Sequence, residues 1–229
     1  MAETSSSQPV DRSSYQHFIP QFILRNFGSE YQPSGKSNKK RNAKRHTLVK
    51  GIRLTGPNVA LVETKVARTF GVQDLYADAG NATNKEHIED MLSKLEGTAA
   101  TIIDKVRSSH KSGNKLITLR RGEKDVLRKF LFIMKYRRPN VRDKYACSIE
   151  DFEDAEKEAL QNYMQHRGFQ RPLDVWLNNI QAILEIKIDA GCKWEEELLH
   201  KAYPPDAVEF IVHTRSFYLS FCAPSDQND

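Results

Sequence analysis

Ile88, Met91, Leu92, Leu95, Ala99, Ile102, Ile103 and Val106 recur three and four positions apart. That spacing stacks apolar side chains along one side of an α-helix and demands a second surface to cover them. A matching stripe follows in Val126, Leu127, Phe130, Leu131 and Met134, predicting a helix over residues 121–137 with Pro139 beyond it. Asn84 is placed to cap the first helix and Gly113 lies past its end. The connection is short enough to set the two helices antiparallel. A chain with this pair at its centre has to build the rest of its core around it.

Pro20 stands where a first helical residue belongs and Gly28 where a left-handed cap belongs, so a two-turn helix is expected between them, with Phe22, Ile23 and Phe27 on one face. Leu48, Ile52 and Leu54, then Val59, Leu61 and Val62, flank Thr55 to Asn58 and predict a β-hairpin. Residues 64–76 read as a short helix followed by a turn or strand. Further helices are expected over residues 149–166 and 173–189, both acidic at their starts as the helix dipole favours, and a short one over 195–200. Pro204 and Pro205 read as its stop, and residues 207–221 mix helical and strand patterns. The expected class is α+β, mostly α: a helical bundle with a small N-terminal β-hairpin. A leader over residues 1–13, one domain over 14–222 containing a basic loop at 34–46, and a polar tail over 223–229 are the expected divisions.

Composition narrows the classes. The 229 residues are 39% hydrophobic and 28% charged, the balance of a globular chain and not of a disordered one. Apolar runs such as Phe130 to Met134 are far shorter than the ~20 residues of a membrane-spanning helix. The polar N-terminus has no signal-peptide core, and three unpaired cysteines (Cys147, Cys192, Cys222) suit a reduced intracellular compartment, cytoplasmic or nuclear. Zinc spacing, phosphate-binding glycine loops and the GxSxG elbow are all missing, so no metal, cofactor or serine nucleophile is expected.

The net charge of +5 is unevenly spread: residues 36–50 carry seven basic and no acidic side chains, while residues 146–229 carry seven basic and sixteen acidic. Lys39, Lys40, Arg41, Lys44 and Arg45 lead the basic run. They suit a solvated loop, a nuclear-localisation signal, or contact with RNA or DNA through phosphate neutralisation. Tyr31 is the aromatic nearest the run, so base stacking is not indicated. No membrane partner is expected, and neither a small-molecule ligand nor an oligomeric state can be read from the residues.

A second constellation is ionic. Glu89 and Glu96 are seven apart on one side of the first long helix, and Arg138 continues the apolar register of Leu127, Leu131 and Met134. Antiparallel packing favours Glu89 as the partner of Arg138, with Glu96 nearer the middle. Such a pair can simply fix helix register, since ionic groups near a core need partners. With His17 beside them, the four residues could instead perform acid–base or metal-assisted chemistry, as in a hydrolase or nuclease.

His17, Phe18, Ile19 and Pro20, followed by Leu24 and Phe27, resemble the opening signature H-[FY]-[VI]-P-x-x-x-L-x-x-F of the family called domain of unknown function 4238. The later hairpin, Ile88-Glu89 with Glu96, and a helix ending in Arg138-Pro139 are similar in order. The resemblance is stronger over residues 15–145 than beyond. It implies His17, Glu89, Glu96 and Arg138 as matching positions without assigning them roles. The wording of residues 217–229 is most similar to fungal members, which continue into a Ser/Thr-Asp-Asn segment, so a shortened member is implied. A place as an accessory protein in fungal specialised metabolism is a further expectation of that likeness.

Overall fold

The computed structural model describes residues 15–31, 46–53, 59–76, 87–216 and 218–222. The chain divides into two compact units, Met1–Ala77 and Asp78–Asp229. The expected class holds, with eight α-helices and five short strands among the described residues.

The first unit contains two small sheets. Strand β1 (Tyr15–His17) pairs antiparallel with β5 (Gly71–Gln73), Gln16 lying opposite Val72. Strands β2 (Gly28–Glu30), β3 (Thr47–Arg53) and β4 (Ala60–Lys65) form an antiparallel sheet in that order. The β3–β4 pair is the expected hairpin, with Ile52 opposite Leu61 and Lys50 opposite Glu63. A 3-10 turn over Val66–Arg68 leads into β5, as the expected short helix and strand. Helix α1 (Gln21–Arg25) is too short to stand alone and docks through Leu24 on Val49 and Val66, with Ile19 packed alongside.

Two details of the opening differ from expectation. The face of α1 that docks is that of Leu24, whereas Phe27 is 78% exposed. Gly28 is no helix cap: it starts β2, and a Cβ there would lie 2.3 Å from Thr47 Cγ2 and 3.0 Å from the Leu48 carbonyl oxygen. Close strand approach, not a left-handed turn, is what excludes a side chain. Gly71 is under the same constraint, because a Cβ would fall 2.7 Å from the Gln16 carbonyl oxygen and 2.5 Å from the Tyr15 ring. Gly71→Ala is therefore expected to destabilise the first unit by about 1–3 kcal/mol. Faster amide exchange at Phe18, whose N–H donates to the Phe70 carbonyl, would report the loosened β1–β5 ladder; unchanged protection would refute the steric account.

Among the described residues, the regular elements of the second unit are all helices. Helices α2 (His87–Lys111) and α3 (Arg121–Tyr136) are the two amphipathic stripes, and Gly113 follows α2 at φ +77°. They run antiparallel, since Lys105 late in α2 meets Glu123 early in α3 while Glu96 meets Arg137 just past the end of α3. Asn84, the expected cap, lies outside the described residues. Then come α4 (Pro139–Ala146), a 3-10 turn over Ile149–Asp151, α5 (Asp154–Arg167), α6 (Pro172–Glu185), α7 (Lys193–Lys201) and α8 (Pro204–Ser216). Val175, Trp176, Ile180 and Ile183 of α6 have no exposed surface. A helix apolar on several sides belongs at the centre, and α6 packs on each of the other six helices of the unit. Lys129 of α3 closes its C-terminal end, its Nζ donating to the carbonyls of Leu184 and Ile186 at 3.0 and 2.5 Å. Burial lowers that ammonium to a pKa of about 8.

Candidate functional site

His17 lies half-buried on β1. Its ring bridges two elements: Nε2 donates to the Val66 carbonyl at 3.2 Å, and Nδ1 accepts from Gln21 Nε2 at 3.4 Å. The tautomer protonated at Nε2 satisfies both contacts. The histidine thus ties β1 to α1 and to the 3-10 turn, with Tyr15 edge-on at 5.2 Å. The other three expected site residues belong to the second unit. Glu89 is half-buried in the first turn of α2, and Glu96 lies two turns further along.

The arginine facing them is not the expected one. Arg137, 1% exposed, donates from Nη1 to Glu96 Oε1 at 2.7 Å. Arg138 is exposed, caps α4, and donates from Nε back to the Lys135 carbonyl at 3.0 Å. Extending the α3 register to residue 138 assumes that the helix continues. It ends at Tyr136, and the backbone turns out of helical geometry at Arg138 (φ −66°, ψ 148°). Glu96 is a carboxylate joined to this arginine.

A different polar centre lies between α3, α4, α6 and α8. Asp206, in the first turn of α8, accepts three hydrogen bonds on one oxygen, Oδ2: from the Tyr136 hydroxyl at 2.5 Å, the Tyr145 hydroxyl at 2.6 Å and Asn179 Nδ2 at 2.7 Å. Asn179, fully buried, turns its Oδ1 to the Tyr203 amide at 2.8 Å. That amide precedes α8, and an acid at the third helical position often serves such a donor. Here Asn179 takes the duty, leaving Asp206 to receive the phenols. Trp176 Nε1 donates to the Tyr136 carbonyl at 3.3 Å and adds a further tie to α3. Burial raises the Asp206 carboxyl above its ordinary pKa against the downward pull of the three hydrogen bonds. Desolvation, then the neighbouring carboxylate, raise Tyr136 and Tyr145.

Sequence reasoning missed all four residues. Asn179 alone carried a signal, a polar amide amid Val175, Trp176, Ile180 and Ile183 on a helix apolar enough to be central. Asp206 followed two prolines read as a stop, although proline is at home in a helix's first turn.

Lys39, Lys40, Arg41, Lys44 and Arg45 lie outside the described residues. The ends of the stretch holding them are described: β2 and β3 pair from Gly28–Val49 to Glu30–Thr47, and Tyr31 N–H donates to the His46 carbonyl at 2.9 Å. Residues 1–77 contain twelve basic and five acidic side chains, a net +7, and residues 78–229 contain 23 and 25, a net −2. Among the described residues, no group of three or more His, Cys, Asp or Glu is arranged to hold a metal ion, and no helix is long and apolar enough to cross a membrane.

The family profile described as "Protein of unknown function (DUF4238)" matches residues 15–229. The chain belongs to this family. No curated protein and no solved structure matches it. The match reaches past the helical pair through α8, so the Asp206 centre falls inside the DUF4238 region. In this DUF4238 chain the opening residues have visible structural work. His17 bridges, buried Pro20 precedes α1, and Leu24 anchors it.

Proposed function

We propose that this DUF4238 protein binds a nucleic acid, RNA or DNA, through the basic stretch of its first unit. The supporting observation is the paired end of β2 and β3. Residues 32–45 depart and return at one point of the sheet, where Tyr31 meets His46. Lys36, Lys39, Lys40, Arg41, Lys44 and Arg45 all belong to this fourteen-residue stretch of sequence. Six cations so close in sequence can neutralise phosphates, and the counterions released supply the affinity. Without stacking aromatics in the run, such contact would be to backbone and sequence-tolerant.

The test is a salt titration of binding to a fluorescent duplex, with a single-stranded RNA in parallel. Four to six phosphate contacts give a slope of log K against log salt of about −4 to −5 on duplex DNA. Replacing Lys39, Lys40, Arg41, Lys44 and Arg45 with glutamine should flatten that slope by more than half. Binding indifferent to salt, or a slope unchanged in the five-fold variant, would reject the assignment.

A further inference from the structure

A cavity of about 260 Å³ opens beside the polar centre of the second unit, bordered by Tyr136, Tyr145, Val141 and Asp206. It is smaller than the ~300 Å³ at which drug-sized ligand sites begin. The two oxygens of Asp206 are unequal. Oδ2 takes all three donors. Among the described residues Oδ1 takes none, and it is not one of the sealed, unpaired atoms of the fold. Its lone pairs therefore stay reachable, on an otherwise immobilised carboxylate that lines the cavity.

The cations bordering the cavity are already engaged. Lys135 Nζ is held by Glu209 Oε1 at 2.6 Å, and Lys144 Nζ by Glu156. Among the described residues, the formal charge left without a counter-ion at the cavity is the Asp206 carboxylate. The donors on Oδ2 serve its ionised form, and they also lock its orientation, so a ligand meets a prearranged acceptor. An anion would meet that carboxylate head-on. A neutral hydroxyl could donate to Oδ1 and leave the charge unmatched.

We propose that this cavity binds a small organic cation, a primary amine whose ammonium donates to Asp206 Oδ1 while its apolar body lies against Tyr136, Tyr145 and Val141. The attraction gains from the low dielectric of the half-buried site and from tyrosine rings within reach of a cation. The assignment is independent of nucleic-acid binding, since it rests on residues of the second unit.

Calorimetric titration of the full chain at neutral pH with phenethylamine, phenethyl alcohol and phenylacetate tests it. Phenethylamine should bind about tenfold or more tightly than the alcohol, with no heat from phenylacetate. Asp206→Asn should erase the preference for amine over alcohol, a ratio readable on whatever fraction stays folded. Val141→Trp fills the cavity while keeping all four hydrogen-bonded residues, and should abolish amine binding. Should Asp206→Asn fail to fold, this second variant still decides. Equal binding of amine and alcohol, preference for phenylacetate, no heat from any probe, or undiminished amine binding by Val141→Trp would each overturn the proposal.

Discussion

Glu96→Ala is expected to lower the unfolding free energy by about 3–5 kcal/mol. The reason is the charge it leaves behind. Arg137 is 1% exposed and donates to a Glu96 carboxylate that retains 24% exposure. Arginine cannot shed its proton to escape a poor environment, so without Glu96 a full cation stays where water has little access. Glu96→Gln keeps an acceptor but not the opposing charge and should fall between the two. Adding Arg137→Met to a Glu96→Leu background removes the buried cation and should recover most of the loss, because a well-packed apolar pair often equals a buried ionic one. Urea unfolding followed by tryptophan fluorescence would report it, since Trp176 is fully buried on the adjacent α6. Strictly additive costs in the double variant would show that the two side chains do not act as a pair.

That pair also shows where sequence reasoning stops. The stripes of α2 and α3 were legible because each asks only which residues share a face over a few turns. Arg138 is misplaced when the apolar face is extended two residues past the end of α3, since one residue off the helical track moves a side chain by about 100°. Pro139 reads as the stop of one helix, and it also opens α4. The prolines at 204 and 205 hid α8 in the same way. Strands β1, β2 and β5 have three residues each, too few for any periodicity, and β1 pairs with a segment 56 positions away from Tyr15 to Gly71. The Asp206 centre draws one residue from each of four helices. Only tertiary packing brings Tyr136, Tyr145, Asn179 and Asp206 together, and no local spacing announces it.

That centre makes the other large prediction. Asp206→Ala withdraws the common acceptor from two phenols and an amide, and should cost about 3–5 kcal/mol. Asn179 has no exposed surface, and Tyr136 and Tyr145 are 4% and 3% exposed, so the three donors lose their acceptor where little of their surface meets solvent. The dependence on pH separates this from a simple packing defect. Burial, the dominant influence, holds the native Asp206 carboxyl above the ordinary value of 3.8. The folded state then binds that proton more tightly than the unfolded chain does. The contribution of Asp206 is accordingly complete below pH 3.8 and declines as pH rises through the native pKa. The stability gap between wild type and Asp206→Ala should therefore be widest in acid and narrow to a plateau towards neutrality. Tyr136 and Tyr145, raised above 10.0 in the native state, keep their contribution up to about pH 10 and lose it beyond, where the unfolded chain ionises first. Unfolding curves for the two proteins from acid to neutral pH measure the gap directly. A gap that widened on leaving acid would mean that the three hydrogen bonds outweigh burial, with the native carboxyl held below 3.8 instead of above it.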